Sequence, residues 1–150
     1  MSELLRTYYC VFGIDIDVEY QRGLEWSEEE KIRLIDSIFN KVEIGRVILR
    51  RLPYKQERRC LYEIVDGKQR LSTLIDFFLG KWKYRGIKYE DLSGKDRHTF
   101  NRFSIVAIIL EKVTDLQVWE YFIKINKTSK PISSEHFKKL YKMIGETNVG

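Results

Sequence analysis

Asp66-Gly67-Lys68-Gln69-Arg70 gathers one carboxylate, one amide and two cations around a glycine. Directly after it come Leu71, Leu74, Ile75, Phe78 and Leu79, apolar at i, i+3, i+4, i+7 and i+8. That spacing predicts a helix whose opening is this pentapeptide. The first amides of a helix lack partners within it and carry about half a positive charge. They attract anions, phosphate above all. Gly67 has no Cβ and would let backbone approach a ligand closely. Lys68 and Arg70 add full charge, Arg70 as a bidentate fork. Asp66 and Gln69 are the groups able to place a water for hydrolysis. Gln69 and Thr73 share a helix face directed away from the core and are expected to be presented. The plainer alternative is an ordinary cap and turn with solvated charges. Neither the Walker spacing nor the dinucleotide glycine pattern is present.

Three other segments could meet a phosphate or a base. Tyr20, Gln21 and Arg22, with Gly23 and Trp26, form a loop that can stack a ring and touch an anion, or simply staple the helix that follows. Asn126 opens the polar, basic stretch Asn126 to Pro131. Arg50, Arg51, Lys55, Arg58 and Arg59 crowd a hairpin-like loop over 52–59, a candidate for DNA-backbone contact or a solvated loop.

The elements that must position these residues read as follows. Val11 to Ile16 alternates like a short strand. Ser27 and Glu30 form a capping box, so a helix starts at Glu28 with Ile32, Ile35, Ile38 and Phe39 inward. Val47 to Leu49 and Leu61 to Val65 are strands, the second ending at Asp66-Gly67. Gly80 stops the helix after it. Trp82 to Tyr89 is strand and turn, and apolar Phe103 to Leu110 a buried strand. Thr114 and Gln117 box in a helix running to about Ile125. Ser133 or Ser134 caps a last helix with Phe137, Leu140, Tyr141 and Ile144 on one side. Short, irregularly spaced strands among helices predict an α+β fold, a small mixed sheet surrounded by helices.

The 150 residues, 43% of them hydrophobic, fit one domain, 1–150, with a real core. Lys plus Arg number 27 and Asp plus Glu 22, a formal charge of +5 that permits phosphate partners. Cys10 and Cys60 form no CxxC pair, and with His98 and His136 they make no zinc site. They read as free thiols of a reducing, cytoplasmic compartment. No apolar run is long enough for a membrane span, and the N-terminus has no signal-peptide pattern.

Three stretches, YQRGLEWSEEEKIRLIDSIF, YEIVDGKQRLSTLIDFFLGK and WEYFIKINKTSKPIS, together resemble the N-terminal domain of GmrSD-type restriction enzymes, in that family's order. The central match is a DGQQR-like turn between strand and helix. The resemblance implies a ParB/sulfiredoxin-like fold that binds, and weakly hydrolyses, a nucleoside triphosphate (CTP, GTP or ATP, with magnesium) in restriction and phage defence. Asp66, Gly67, Gln69 and Arg70 match the family turn, Tyr20, Gln21, Arg22 and Trp26 its first motif, and Asn126 the Asn of its third. Lys68 stands where the family usually has Gln, Ser129 replaces a usual Gly, and His136 falls where an acidic residue is common. Ile125 stands where ParB proteins carry a metal-binding Glu, so no metal site is expected. Full-length relatives add an HNH nuclease domain. The 150 residues have no room for one, so a separately encoded nuclease subunit is an expected partner beside nucleotide and DNA. Two competing roles are a non-catalytic DNA- or protein-binding module, such as a phage or mobile-element regulator or decoy, and a metal-dependent nuclease using Asp15, Asp17, Glu19, Glu63 and Asp66.

Overall fold

Ser27 starts the first helix as its spacing predicts. Its hydroxyl accepts from the Glu30 amide, and the Glu30 carboxylate accepts from the Ser27 amide. In the computed structural model, which describes residues 13–18, 25–53 and 60–126 with Lys138, Lys142, Met143 and Gly145, the order is β1 (Ile14–Asp15), α1 (Glu28–Phe39), β2 (Val47–Arg51), β3 (Tyr62–Asp66), α2 (Lys68–Phe78), a 3-10 turn (Tyr89–Asp91), α3 (Gly94–Arg102), β4 (Ala107–Leu110) and α4 (Asp115–Asn126). The strands form one four-stranded sheet in the order β1-β3-β2-β4, with β1 parallel to β3. The class is α+β, as the sequence predicts. The predicted helix from Ser133 or Ser134 lies outside the described residues, Lys138, Lys142, Met143 and Gly145 apart.

The chain divides into two compact units, each drawn from separate stretches. The first comprises Met1–Arg22, Leu49–Asp66 and Ile109–Gly150. Within it, Ile64 and Val65 of β3 and Val118, Phe122 and Ile123 of α4 are buried. α4 is boxed in by Thr114 and Gln117: the Gln117 Oε1 accepts from the Thr114 amide at 2.9 Å, and the Thr114 hydroxyl accepts in return.

The second unit comprises Gly23–Ile48 and Gly67–Ile108. Its core joins Leu34, Ile35 and Ile38 of α1 to Leu74 and Phe77 of α2 and to Leu92. Phe77 sits at the centre, its ring edge or tilted face against Trp82, Tyr84, Tyr89 and Phe100 at centroid distances of 5.5 to 6.3 Å.

Four expectations are corrected here. The inward stripe of α2 is Thr73, Leu74 and Phe77, with Phe78 53% exposed, one position off the stripe that apolar spacing picks out. β4 is not a buried strand but an outer one, alternating in exposure, with Ile109 and the preceding Val106 among the exposed apolar residues. Within 103–110, which the sequence predicts as strand throughout, the strand covers only Ala107–Leu110, with the Val106 carbonyl before it accepting from the Val47 amide at 2.9 Å. α3 went unread. Its start is marked by Ser93, whose hydroxyl accepts from the Asp96 amide at 3.1 Å, a cap with an acidic residue three positions on. Finally, Cys60 is disulfide-bonded rather than a free thiol. Cys10 lies outside the described residues.

Candidate functional site

The turn between β3 and α2 rests on Gly67. It is the N-cap of α2 and adopts φ +93°, a left-handed conformation that side chains resist. A Cβ there would meet Val47 Cγ1 at 2.7 Å and Arg70 Nη2 at 3.3 Å. The space that its missing side chain leaves is filled by Val47 and Arg70, and Gly67 itself is buried. As N-cap, Gly67 has no side chain of its own to cap the helix.

Arg70 folds back along the same turn. Its Nη1 donates to the Ile44 carbonyl at 3.1 Å, and a Cβ on Gly45 would strike that nitrogen at 2.7 Å. Two glycines with positive φ thus flank one guanidinium. The group is half-buried and fixed in position, so its charge stands beside the α2 N-terminus without the entropy of a long free side chain. Lys68, the first residue of α2, is likewise half-buried.

Gln69 is held too. Its Oε1 accepts from the Trp26 amide at 3.1 Å, just before the α1 capping box. Because the partner is an N–H, the amide oxygen faces Trp26, and the Nε2 hydrogens remain to meet an anion. Gln69 therefore joins the start of α1 to that of α2. The sequence offers no local sign of this bond, since 43 residues separate its ends. Thr73, expected to be presented beside Gln69, is 2% exposed. Its backbone carbonyl accepts from Trp82 Nε1 at 3.0 Å. It is a core residue, and the reading of it as a presented ligand contact is corrected.

The other sequence candidates separate. Tyr20, Gln21, Arg22, Lys55, Arg58 and Arg59 lie outside the described residues. Asn126 closes α4, its Nδ2 donating to the Phe122 carbonyl at 2.8 Å. Arg50 is withdrawn from any DNA backbone: its side chain is only 11% exposed, with Nε 3.2 Å from the Glu63 carboxylate and Nη1 on Asp115. The Nε atom is buried and gains an ion pair but no hydrogen bond. Arg51 is exposed and paired with Glu111 at 3.1 Å. Among the described residues, no three His, Cys, Asp or Glu side chains come together as a metal-holding group.

Burial pushes the Glu63 carboxyl above its ordinary range; Arg50 opposes this, and Asp115 and Asp15 add to it. Between the unfolded value near 4.5 and the raised folded value, the folded chain holds the extra proton. Stability therefore falls as pH rises through that window. Glu63→Gln should remove this fall. Urea midpoints measured from acid to neutral pH should converge toward acid and separate above it, the wild type being the one that declines. Parallel curves would contradict the assignment.

Comparison with known proteins completes the description. A family described as GmrSD restriction endonuclease, N-terminal domain, matches residues 11–103. The matched span holds the Gly67 turn, the Trp26 contact and both flanking glycines, and stops short of Asn126. No curated protein and no solved structure matches the chain.

Proposed function

The chain belongs to the GmrSD restriction endonuclease N-terminal domain family, and from that premise we propose that it binds, and weakly hydrolyses, a nucleoside triphosphate in restriction or phage defence, holding phosphate at the start of α2. One observation carries this reading: a helix that opens at a glycine N-cap, with Lys68 as its first residue and Arg70 fixed on the Ile44 carbonyl two positions on. Helix amides with two cations in the first turn suit a multiply charged anion. Gln69 enters as a donor through Nε2, its oxygen being engaged by Trp26. Asp66, the last residue of β3, is the carboxylate that would place an attacking water in this scheme. Magnesium enters as the counter-ion of the triphosphate. Cleavage itself would fall to a nuclease acting with this domain.

The reading is tested by melting the protein with ATP, GTP and CTP, each with and without magnesium. At roughly 100 times its dissociation constant a ligand adds about 2.7 kcal/mol, or some 5–10 °C in a chain of this size. One nucleotide should produce that rise. Lys68→Glu should abolish it, because it places a negative charge at the helix start. Equal shifts in wild type and variant, or no shift with any nucleotide, would overturn the reading.

A further inference from the structure

The second unit has another surface, at the far end of α2. Phe78 closes that helix, 53% exposed, its ring tilted by 53° against Tyr89 at a centroid distance of 4.8 Å. Tyr89 is braced from several sides. Its ring meets Phe77 and Phe100 at 6.0 and 5.5 Å, and its hydroxyl donates to Asn101 Oδ1 at 2.8 Å. The Arg97 guanidinium lies 5.8 Å from its centroid, pinned by the Glu90 and Leu92 carbonyls. An apolar ring is thus held rigidly at the surface, beside cations.

The cations continue along α3. At about 100° per residue, Arg97, Asn101, His98, Arg102 and Lys95 follow one another around a single arc, opposite Asp96 and Phe100. All five are exposed. The arc contains no carboxylate and no apolar side chain. The helix's one acidic residue, Asp96, is turned back to its cap, accepting from the Ser93 hydroxyl at 2.7 Å. Among the described residues, neither Lys95 nor Arg102 is ion-paired. Arg97 and Asn101 border the Phe78–Tyr89 pair, so the arc begins at the aromatic platform and runs away from it.

We propose that the Phe78–Tyr89 platform and the cationic arc of α3 bind a single-stranded nucleic acid. A base stacks on Phe78, and the phosphates that follow track Lys95, His98 and Arg102. Stacking is the reason for a single strand: paired bases in a duplex have no free face for Phe78, whereas every unstacked base has one. A lipid surface would want apolar residues on the arc, and it has none. This surface is separate in sequence and in element end from the Gly67 turn, and the proposal does not depend on nucleotide binding there.

The test is fluorescence anisotropy with a short mixed-sequence DNA oligonucleotide, single-stranded and as duplex, over a range of salt. The single strand should bind more tightly. Phe78→Ala should weaken it roughly tenfold, the effect of losing one stacked base. Lys95→Gln with Arg102→Gln should lower the salt slope by roughly 1.4, the sum for two phosphate contacts to a single strand. Lys95→Gln with Arg102→Gln should melt like the wild type and Phe78→Ala only slightly below it, each with any nucleotide-induced melting shift intact. No binding to the single strand, a Phe78→Ala variant that binds like wild type, or preference for duplex would each overturn the proposal.

Discussion

Phe77→Ala should cost about 3–5 kcal/mol, the range for removing a fully buried aromatic ring. The upper end is expected, because the vacated space cannot collapse. The ring is fully buried and touches Trp82, Tyr84, Tyr89 and Phe100, four stiff side chains that move as plates. Such pairs also add about 0.5–1.5 kcal/mol beyond the area they bury. Set against the roughly 5–15 kcal/mol that stabilises a typical domain, this threatens the second unit as a whole. Urea unfolding followed by near-ultraviolet circular dichroism reads both the loss of stability and the loss of fixed aromatic packing. Phe78→Ala is the control. Half-exposed and packed against Tyr89, it should cost about 1 kcal/mol, well below Phe77. A larger cost at Phe78 than at Phe77 would mean that α2 turns its other stripe inward.

Gly67→Ala should cost about 2–5 kcal/mol. Two penalties combine. The left-handed conformation at φ +93° charges any L side chain about 1–2 kcal/mol. The new methyl would stand 2.7 Å from Val47 Cγ1, and forcing room in packed surroundings costs about 1–3 kcal/mol. Gly45→Ala separates the terms. Its φ is similar at +80°, but the atom in the way is Nη1 of Arg70, the end of a flexible side chain. It should cost only about 1–2 kcal/mol while pushing Arg70 off the Ile44 carbonyl. Chemical denaturation of both variants gives the comparison. Equal costs would show that Val47 yields freely and that packing at the turn is loose.

These two residues also show where a sequence speaks and where it is silent. The capping boxes of Ser27 with Glu30 and Thr114 with Gln117 form as read, because every atom involved lies within one helical turn. So does the strand-turn-helix order around Gly67. The inward face of α2 was misread because its true stripe carries Thr73 as well as Leu74 and Phe77. Thr73 looks polar in sequence, yet it is buried where Trp82 arrives to bond its carbonyl. Apolar spacing alone favoured Phe78, one position along. Arg50 looked like part of a basic loop, and its withdrawal depends on Asp115, 65 residues away. The docking of Gln69 on Trp26 and of Arg70 on Ile44 is equally non-local. For the candidate site, then, the sequence made the helix start and its charges legible. It could not say that the glycines serve packing, or that Arg70 is anchored rather than free.

Anchoring changes how the site should be probed. Arg70→Ala would remove a charge and also empty the space between Gly45 and Gly67, so lost binding could report a distorted turn. Lys68→Glu reverses charge at the helix start without vacating that space. Backbone amide chemical shifts, followed by nitrogen-proton correlation as a nucleoside triphosphate is titrated, look at the helix start itself. Direct capture of phosphate there predicts the largest changes at the amides of Lys68, Gln69 and Arg70, saturating with the same dissociation constant that melting gives and disappearing in Lys68→Glu. Saturable changes centred elsewhere, with those three amides unmoved, would contradict it.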